Sequence, residues 1–179
     1  MKNMCLNKKM TLFIITLLLL TLILGINLYI SFQFLTITTN QLQSNLSTSL
    51  RILQLTDLHN SEFGTHNSRL INSVRAQSPD LILLTGDLLN SNEQRTDIAT
   101  NLITQLCEIA PVYCSNGNHE IEYQENYGVD VDELYRKAGA VVLEKEYQDI
   151  TVSDQKVRLG GIYGYCLPGK YLETGEADQ

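Results

Sequence analysis

Three short apolar runs each stop on a polar turn, and that repeated punctuation constrains the fold more than any other feature of the chain. The runs are Arg51-Ile52-Leu53-Gln54-Leu55, Leu81-Ile82-Leu83-Leu84 and Pro111-Val112-Tyr113-Cys114. The turns that follow them are Asp57-Leu58-His59, Gly86-Asp87 and Gly117-Asn118-His119-Glu120. Helix-period segments separate the runs. Asn67 to Gln77 places Leu70, Ile71 and Val74 on one face, and Ser78-Pro79 closes it because a residue before proline disfavours α geometry. Glu93 to Ile109 carries Ile98, Leu102, Ile103 and Leu106 at helical spacing until Pro111 blocks continuation. Strands alternating with helices predict a parallel sheet. Neighbouring strands of such a sheet open their carboxyl ends onto one crevice, where ligands bind. Asp57, His59, Asp87, Asn118 and His119 are therefore expected to converge.

Beyond the third turn the pattern changes. Val129 to Ala138 predicts a shorter helix stopped by Gly139, and then come strand-like runs at Val141-Val142-Leu143, Tyr147 to Val152 and Val157 to Tyr163. The fold class expected is α/β, a parallel-containing sheet extended by antiparallel strands. The glycines Gly160, Gly161 and Gly164 read as strand-end and turn residues, since no Lys-Ser/Thr follows them to make a phosphate loop.

Carboxylate, imidazole and amide oxygen together suit divalent transition metals. A pair of metals about 3.5–4 Å apart serves phosphatases and nucleases, and it needs a carboxylate able to bridge them. Asp87, on the middle turn, is the candidate bridge. Asp57 and His59 flank Leu58, so an extended strand end would point both to one side. Taken alone, Asp-x-His or Gly-Asp reads equally well as an ordinary polar turn after a strand.

In this order and context the three motifs resemble the calcineurin-like metallophosphoesterase superfamily, whose pattern is Asp-x-His, Gly-Asp and Gly-Asn-His-Asp/Glu. The resemblance covers about residues 51–165. It implies a layered, metallophosphoesterase-type β-sandwich, two sheets face to face with helices outside. It further implies two divalent ions, Mn, Fe or Zn, with Asp57 and His59 on the first, Asp87 on both and Asn118 on the second. His119 would contact the substrate phosphate and protonate the leaving oxygen, with Glu120 holding its imidazole. The reaction implied is hydrolysis of a phosphomonoester or phosphodiester by a hydroxide shared between the metals. One departure stands out. The family continues to a further His and a Gly-His-x-His motif, whereas no histidine follows His119. The chain therefore reads as the amino-terminal part of an enzyme, incomplete at its carboxyl end and inactive as it stands. The alternative is a non-catalytic, membrane-anchored scaffold or binding protein that keeps the fold with an incomplete metal site.

Charge is distributed unevenly. Lys2, Lys8 and Lys9 lie in the first ten residues, and no charged residue occurs from Met10 to Leu50. The remainder holds 10 Lys/Arg against all 20 Asp/Glu, which argues against nucleic-acid binding through a basic face. The expected organisation is a basic segment at 1–10, a transmembrane signal anchor at 11–35, a polar linker at 36–50 and the folded domain at 51–179. About 20 apolar residues span a hydrocarbon core. Ile30-Ser31-Phe32-Gln33-Phe34 offers no small-x-small cleavage site, which favours a retained anchor over a cleaved signal. Lysines on the amino-terminal side keep that end in the cytoplasm. The expectation is a single-pass protein of the cell membrane with its catalytic domain extracytoplasmic and a substrate such as a lipid-linked or cell-envelope phosphoester.

The remaining reactive residues carry weaker signals. His66 reads as a solvated loop or helix-start side chain, with a substrate contact at the crevice rim as the alternative. Cys107, Cys114 and Cys166 read as small core residues, with a Cys107–Cys114 bridge as the alternative, and Cys5 as incidental or acylated. The acidic run Glu120, Glu122, Glu125, Asp130, Asp132 and Glu133 reads as a solvated loop and helix start, while Tyr123 and Tyr127 could line a substrate mouth.

Overall fold

The computed structural model describes residues 8–33 and 35–162. Its chain divides into two units, Met1–Leu42 and Gln43–Gln179. Lys2, Cys5, Tyr163, Gly164 and Cys166 lie outside the described residues.

Among its described residues the first unit holds one helix, α1, Lys8–Gln33. At 1.5 Å per residue its 26 residues reach about 39 Å, against a hydrocarbon core of about 30 Å. The stretch Lys8–Asn27 is long and apolar enough to cross a membrane. Three of its polar side chains bond within the helix. The Thr16 and Thr21 hydroxyls donate to the Leu12 and Leu18 carbonyls at 3.0 and 2.9 Å, and Asn27 Nδ2 donates to Ile23 O at 2.9 Å. Such internal bonding is what a hydrocarbon surrounding requires.

The second unit begins with β1 (Ile52–Leu55), a 3₁₀ turn (Thr65–Asn67), α2 (Ser68–Gln77), β2 (Leu81–Thr85) and α3 (Asp97–Cys107). It continues with β3 (Val112–Ser115), α4 (Asn118–Tyr127), α5 (Val131–Lys137), β4 (Val141–Val142), β5 (Glu146–Val152) and β6 (Gln155–Gly161). Strands β1 to β4 form one parallel sheet in sequence order, with Leu53 opposite Ile82, Ile82 opposite Val112 and Cys114 opposite Val142. Alternation puts Ile82 and Leu84 on one face and Leu81 and Leu83 on the other. On the second face Leu81 packs with Ile150 and Val152 of the β5–β6 hairpin, and Leu83, Tyr113, Val157 and Leu159 close around them. Thus a small antiparallel sheet covers the parallel one, as the layered expectation requires. The hairpin turns on Ser153 and Asp154, both with positive φ (47° and 63°), which matches the right-handed twist of its strands.

The helix faces fall where periodicity places them. Leu70, Ile71 and Val74 of α2 and Leu102, Ile103 and Leu106 of α3 are buried. Three boundaries differ from expectation. The helix expected from Glu93 begins at Asp97, because residues 93–96 are held in turns, with the Glu93 N–H bonded back to the Asn90 carbonyl at 3.1 Å and the Glu93 carboxylate accepting Asn60 Nδ2 at 3.4 Å. The polar linker does not stay free to residue 50. Ser47 donates from N and Oγ to Gln155 Oε1 (3.0 and 3.1 Å), and Leu50 joins the hairpin core. The acidic stretch after Gly117 is not a solvated loop but helix α4, with Glu120 wholly buried and Tyr123 2% exposed. A tyrosine so withdrawn cannot line a substrate mouth. Glu122 and Glu125 do face solvent. Cys107 and Cys114 are free thiols, so the bridge between them is absent, and burial pushes the Cys114 thiol well up.

Candidate functional site

Three loops leave the carboxyl ends of β1, β2 and β3, and the first two are bonded to each other through their backbones. Asp57, His59 and Asn60 donate their N–H groups to the carbonyls of Gly86, Asp87 and Leu88 at 3.2, 2.9 and 2.8 Å. The first loop therefore rides on the second. It does so out of extended geometry, since Asp57, His59 and Asn60 all have positive φ (56°, 46° and 59°). Strand alternation accordingly does not set the direction of the Asp57 and His59 side chains. The ladder onto residues 86–88 sets it, and the two still meet, with His59 Nε2 3.9 Å from Asp57 Oδ1. Thr56 Oγ1 donates to Asp57 Oδ2 at 2.7 Å.

The second and third loops touch at two glycines. Gly86 has φ +89°, and a Cβ there would come within 2.5 Å of Gly117 N. A Cβ on Gly117 would in turn overlap the Asp87 carboxylate and lie 2.7 Å from the Asp87 amide nitrogen. Only two residues without side chains allow the Asp87 carboxylate into this corner. There Asp87 Oδ1 accepts the His119 N–H at 2.9 Å. His119 and Asn118 sit in the first turn of α4, whose N-terminal N–H groups suit a negative partner.

The result is a convergence. Ligand-capable atoms of His59, Asp87 and His119 lie within 4.8 Å of one another. The two imidazole rings meet edge to face, 4.4 Å between centroids at 69°. Asp57 flanks the group from the first loop, its Oδ1 3.9 Å from His59 Nε2, while Asn118 is the residue before His119 in α4. Among the described residues His59 Nδ1 is a buried atom with no hydrogen-bond partner. A buried nitrogen left so in a cluster of carboxylate and imidazole fits a metal ligand, and this donor set fits manganese, iron or zinc.

His119 is held differently. Ser91, 1% exposed, donates its backbone N–H to His119 Nδ1 at 3.1 Å. The Ser91 hydroxyl bonds Glu122 Oε2 at 2.8 Å, and Asn126 Nδ2 bonds the Ser91 carbonyl at 3.2 Å. An N–H aimed at Nδ1 occupies its lone pair, so a neutral ring carries its proton on Nε2. No sequence signal marks Ser91, which lies in a plain polar run.

Glu120 does not hold the imidazole. Its Oε2 accepts the N–H groups of Asp87 and Gly117 at 2.7 and 2.9 Å, and its Oε1 those of Leu88 and Leu89 at 2.8 and 3.1 Å. Tyr135 completes the set, donating its hydroxyl to Oε1 at 2.9 Å. Both oxygens are thus consumed by the loops themselves. The reason is reach. As the third residue of α4, Glu120 folds back on its own N-cap, in the manner of half a capping box, and away from the preceding side chain. His66 stands apart from the site, exposed in the 3₁₀ turn, with its carbonyl accepting Gln105 Nε2 at 3.1 Å.

Comparison with known proteins agrees with this geometry. The sequence model of the calcineurin-like phosphoesterase family matches residues 50–178. The uncharacterized metallophosphoesterase YkoQ of Bacillus subtilis is 27% identical over 135 residues, 70% of this chain and 50% of that protein. The uncharacterized metallophosphoesterase Cj0846 of Campylobacter jejuni is 34% identical over 92 residues, 49% of this chain and 24% of that protein. The chain thus spans about half the length of the first relative and a quarter of the second.

Proposed function

Because this chain belongs to the calcineurin-like phosphoesterase family, we propose that it serves metal-dependent hydrolysis of a phosphomonoester or phosphodiester at the ends of β1, β2 and β3. The observation that carries this reading is the meeting of His59, Asp87 and His119 from three separate strand ends. In it Asp57 and His59 hold one divalent ion, Asp87 is shared, and Asn118 offers its amide oxygen to a second. Such ions, when bound, polarise phosphoryl oxygens and acidify water enough to supply a nucleophile at neutral pH. The chain's own residues supply position. The Gly86–Gly117 contact seats Asp87, and the Ser91 N–H turns His119 so that Nε2–H faces the site. From there it donates a hydrogen bond to a phosphoryl or leaving oxygen as charge develops.

The same reading places α1 as a single-pass anchor, with the lysine-bearing end cytoplasmic and the acidic unit outside. Anchoring favours a substrate close to the membrane, such as a lipid-linked or cell-envelope phosphoester. The test is binding of inorganic phosphate to the detergent-solubilised full chain. Phosphate should bind in the presence of Mn²⁺, fail to bind without it, and bind more weakly to His119→Ala. Phosphate binding that ignores both the metal and His119 would overturn the reading.

A further inference from the structure

Tyr135 has no part in the reading above, yet it is among the most completely buried large side chains of the unit, 1% exposed on α5. Its hydroxyl ends on Glu120, which among the described residues is the one carboxylate wholly withdrawn from solvent. A buried carboxylate is tolerated only where hydrogen bonds replace its water. Here four backbone N–H groups from two loops do so, and among the described residues the Tyr135 hydroxyl is the only side-chain donor beside them. The four amides belong to the loops that seat Asp87, and a rotation of the Glu120 carboxylate would break bonds to both loops together. Tyr135 bears on that rotation from a different helix. Burial and the adjacent carboxylate push its hydroxyl well above the usual tyrosine range, so it stays a donor.

We propose that Tyr135 and Glu120 form a positioning pair for Asp87: the hydroxyl fixes the carboxylate, the carboxylate fixes the 86–89 turn, and the turn presents Asp87 to the metal. The inference rests on the reading of Asp87 as a metal ligand. Partners that orient a ligand from outside the coordination sphere commonly change metal affinity by about 10–100-fold.

The test is Mn²⁺ titration of the full chain in detergent as wild type, Tyr135→Phe, Asp87→Asn and the double variant. Tyr135→Phe should weaken binding by roughly tenfold, at the low end of that range. In the Asp87→Asn background it should add no loss beyond about twofold, because nothing remains for the pair to position. A second readout needs no metal. Amide exchange in Tyr135→Phe should quicken at Asp87, Leu88, Leu89 and Gly117 and stay unchanged in the β5–β6 hairpin. Equal losses in both backgrounds, or exchange that rises everywhere, would show general loosening and overturn the pair. So would unchanged affinity in Tyr135→Phe alone. If Asp87→Asn itself binds Mn²⁺ like wild type, the failure lies in the metal-ligand reading and the pair falls with it.

Discussion

Asp87 and His119 are neighbours in space with different work, and single substitutions separate them. In the proposed site Asp87 offers the metal a carboxylate lone pair, so Asp87→Ala should abolish tight Mn²⁺ binding. His119 is read as presenting an N–H, so His119→Ala should leave Mn²⁺ affinity within about twofold while removing an oxyanion donor, a loss that in a complete enzyme is typically ~10²–10³ in turnover. Equal metal loss in both variants, measured by titration calorimetry, would show that His119 is a ligand. Gly117→Ala tests the seat rather than the ligand. Its Cβ must displace the Asp87 carboxylate and amide, so Mn²⁺ affinity should fall at least as far as for the outer partners of a ligand, about tenfold. Unchanged affinity in a folded Gly117→Ala chain would mean that the loop yields freely. At this scale the meeting of His59, Asp87 and His119 was legible, since each follows an apolar run and differs in kind from its neighbours. Their contacts were not. Glu120 shares a motif with His119 but, as the third residue of a helix, must fold back on backbone N–H groups, and Ser91 acts through a main-chain atom that every residue has.

Elements were legible where burial imposes a period. In α2 and α3 the apolar positions recur at helical spacing because one face packs inward, and the observed buried residues match. Helix α4 was hidden because its inward face is built from Glu120 and Tyr123, which give no apolar stripe. The start of α3 was misplaced because hydrogen bonds absent from any local apolar pattern, from Asn60 to Glu93 and from Glu93 to Asn90, hold residues 93–96 in turns. The core claim is testable at Ile103, which has no exposed surface. Ile103→Ala should destabilise the folded unit by about 2–5 kcal/mol in denaturant unfolding, the range for such a cavity. A cost within about 0.5 kcal/mol is what a surface position shows and would contradict the packing described.

For the molecule as a whole, contacts divide the chain after Leu42, whereas charge resumes only at Arg51. Apolar α1 and its flanking lysines on one side, and an acidic α/β unit on the other, make topology a direct prediction. Protease added to intact cells should remove the unit beyond Arg51, and protection until the membrane is opened would place that unit in the cytoplasm. The central claim is that residues from separate strand ends make one metal site, with His59 binding the ion and His119 facing it as a donor. Pulsed electron paramagnetic resonance of Mn²⁺ on the full chain reads this through coupling to imidazole nitrogen. One directly bound imidazole is predicted, lost in His59→Gln and kept in His119→Gln. Two bound imidazoles, with one lost in each variant, or no nitrogen coupling in the wild-type chain, would contradict it.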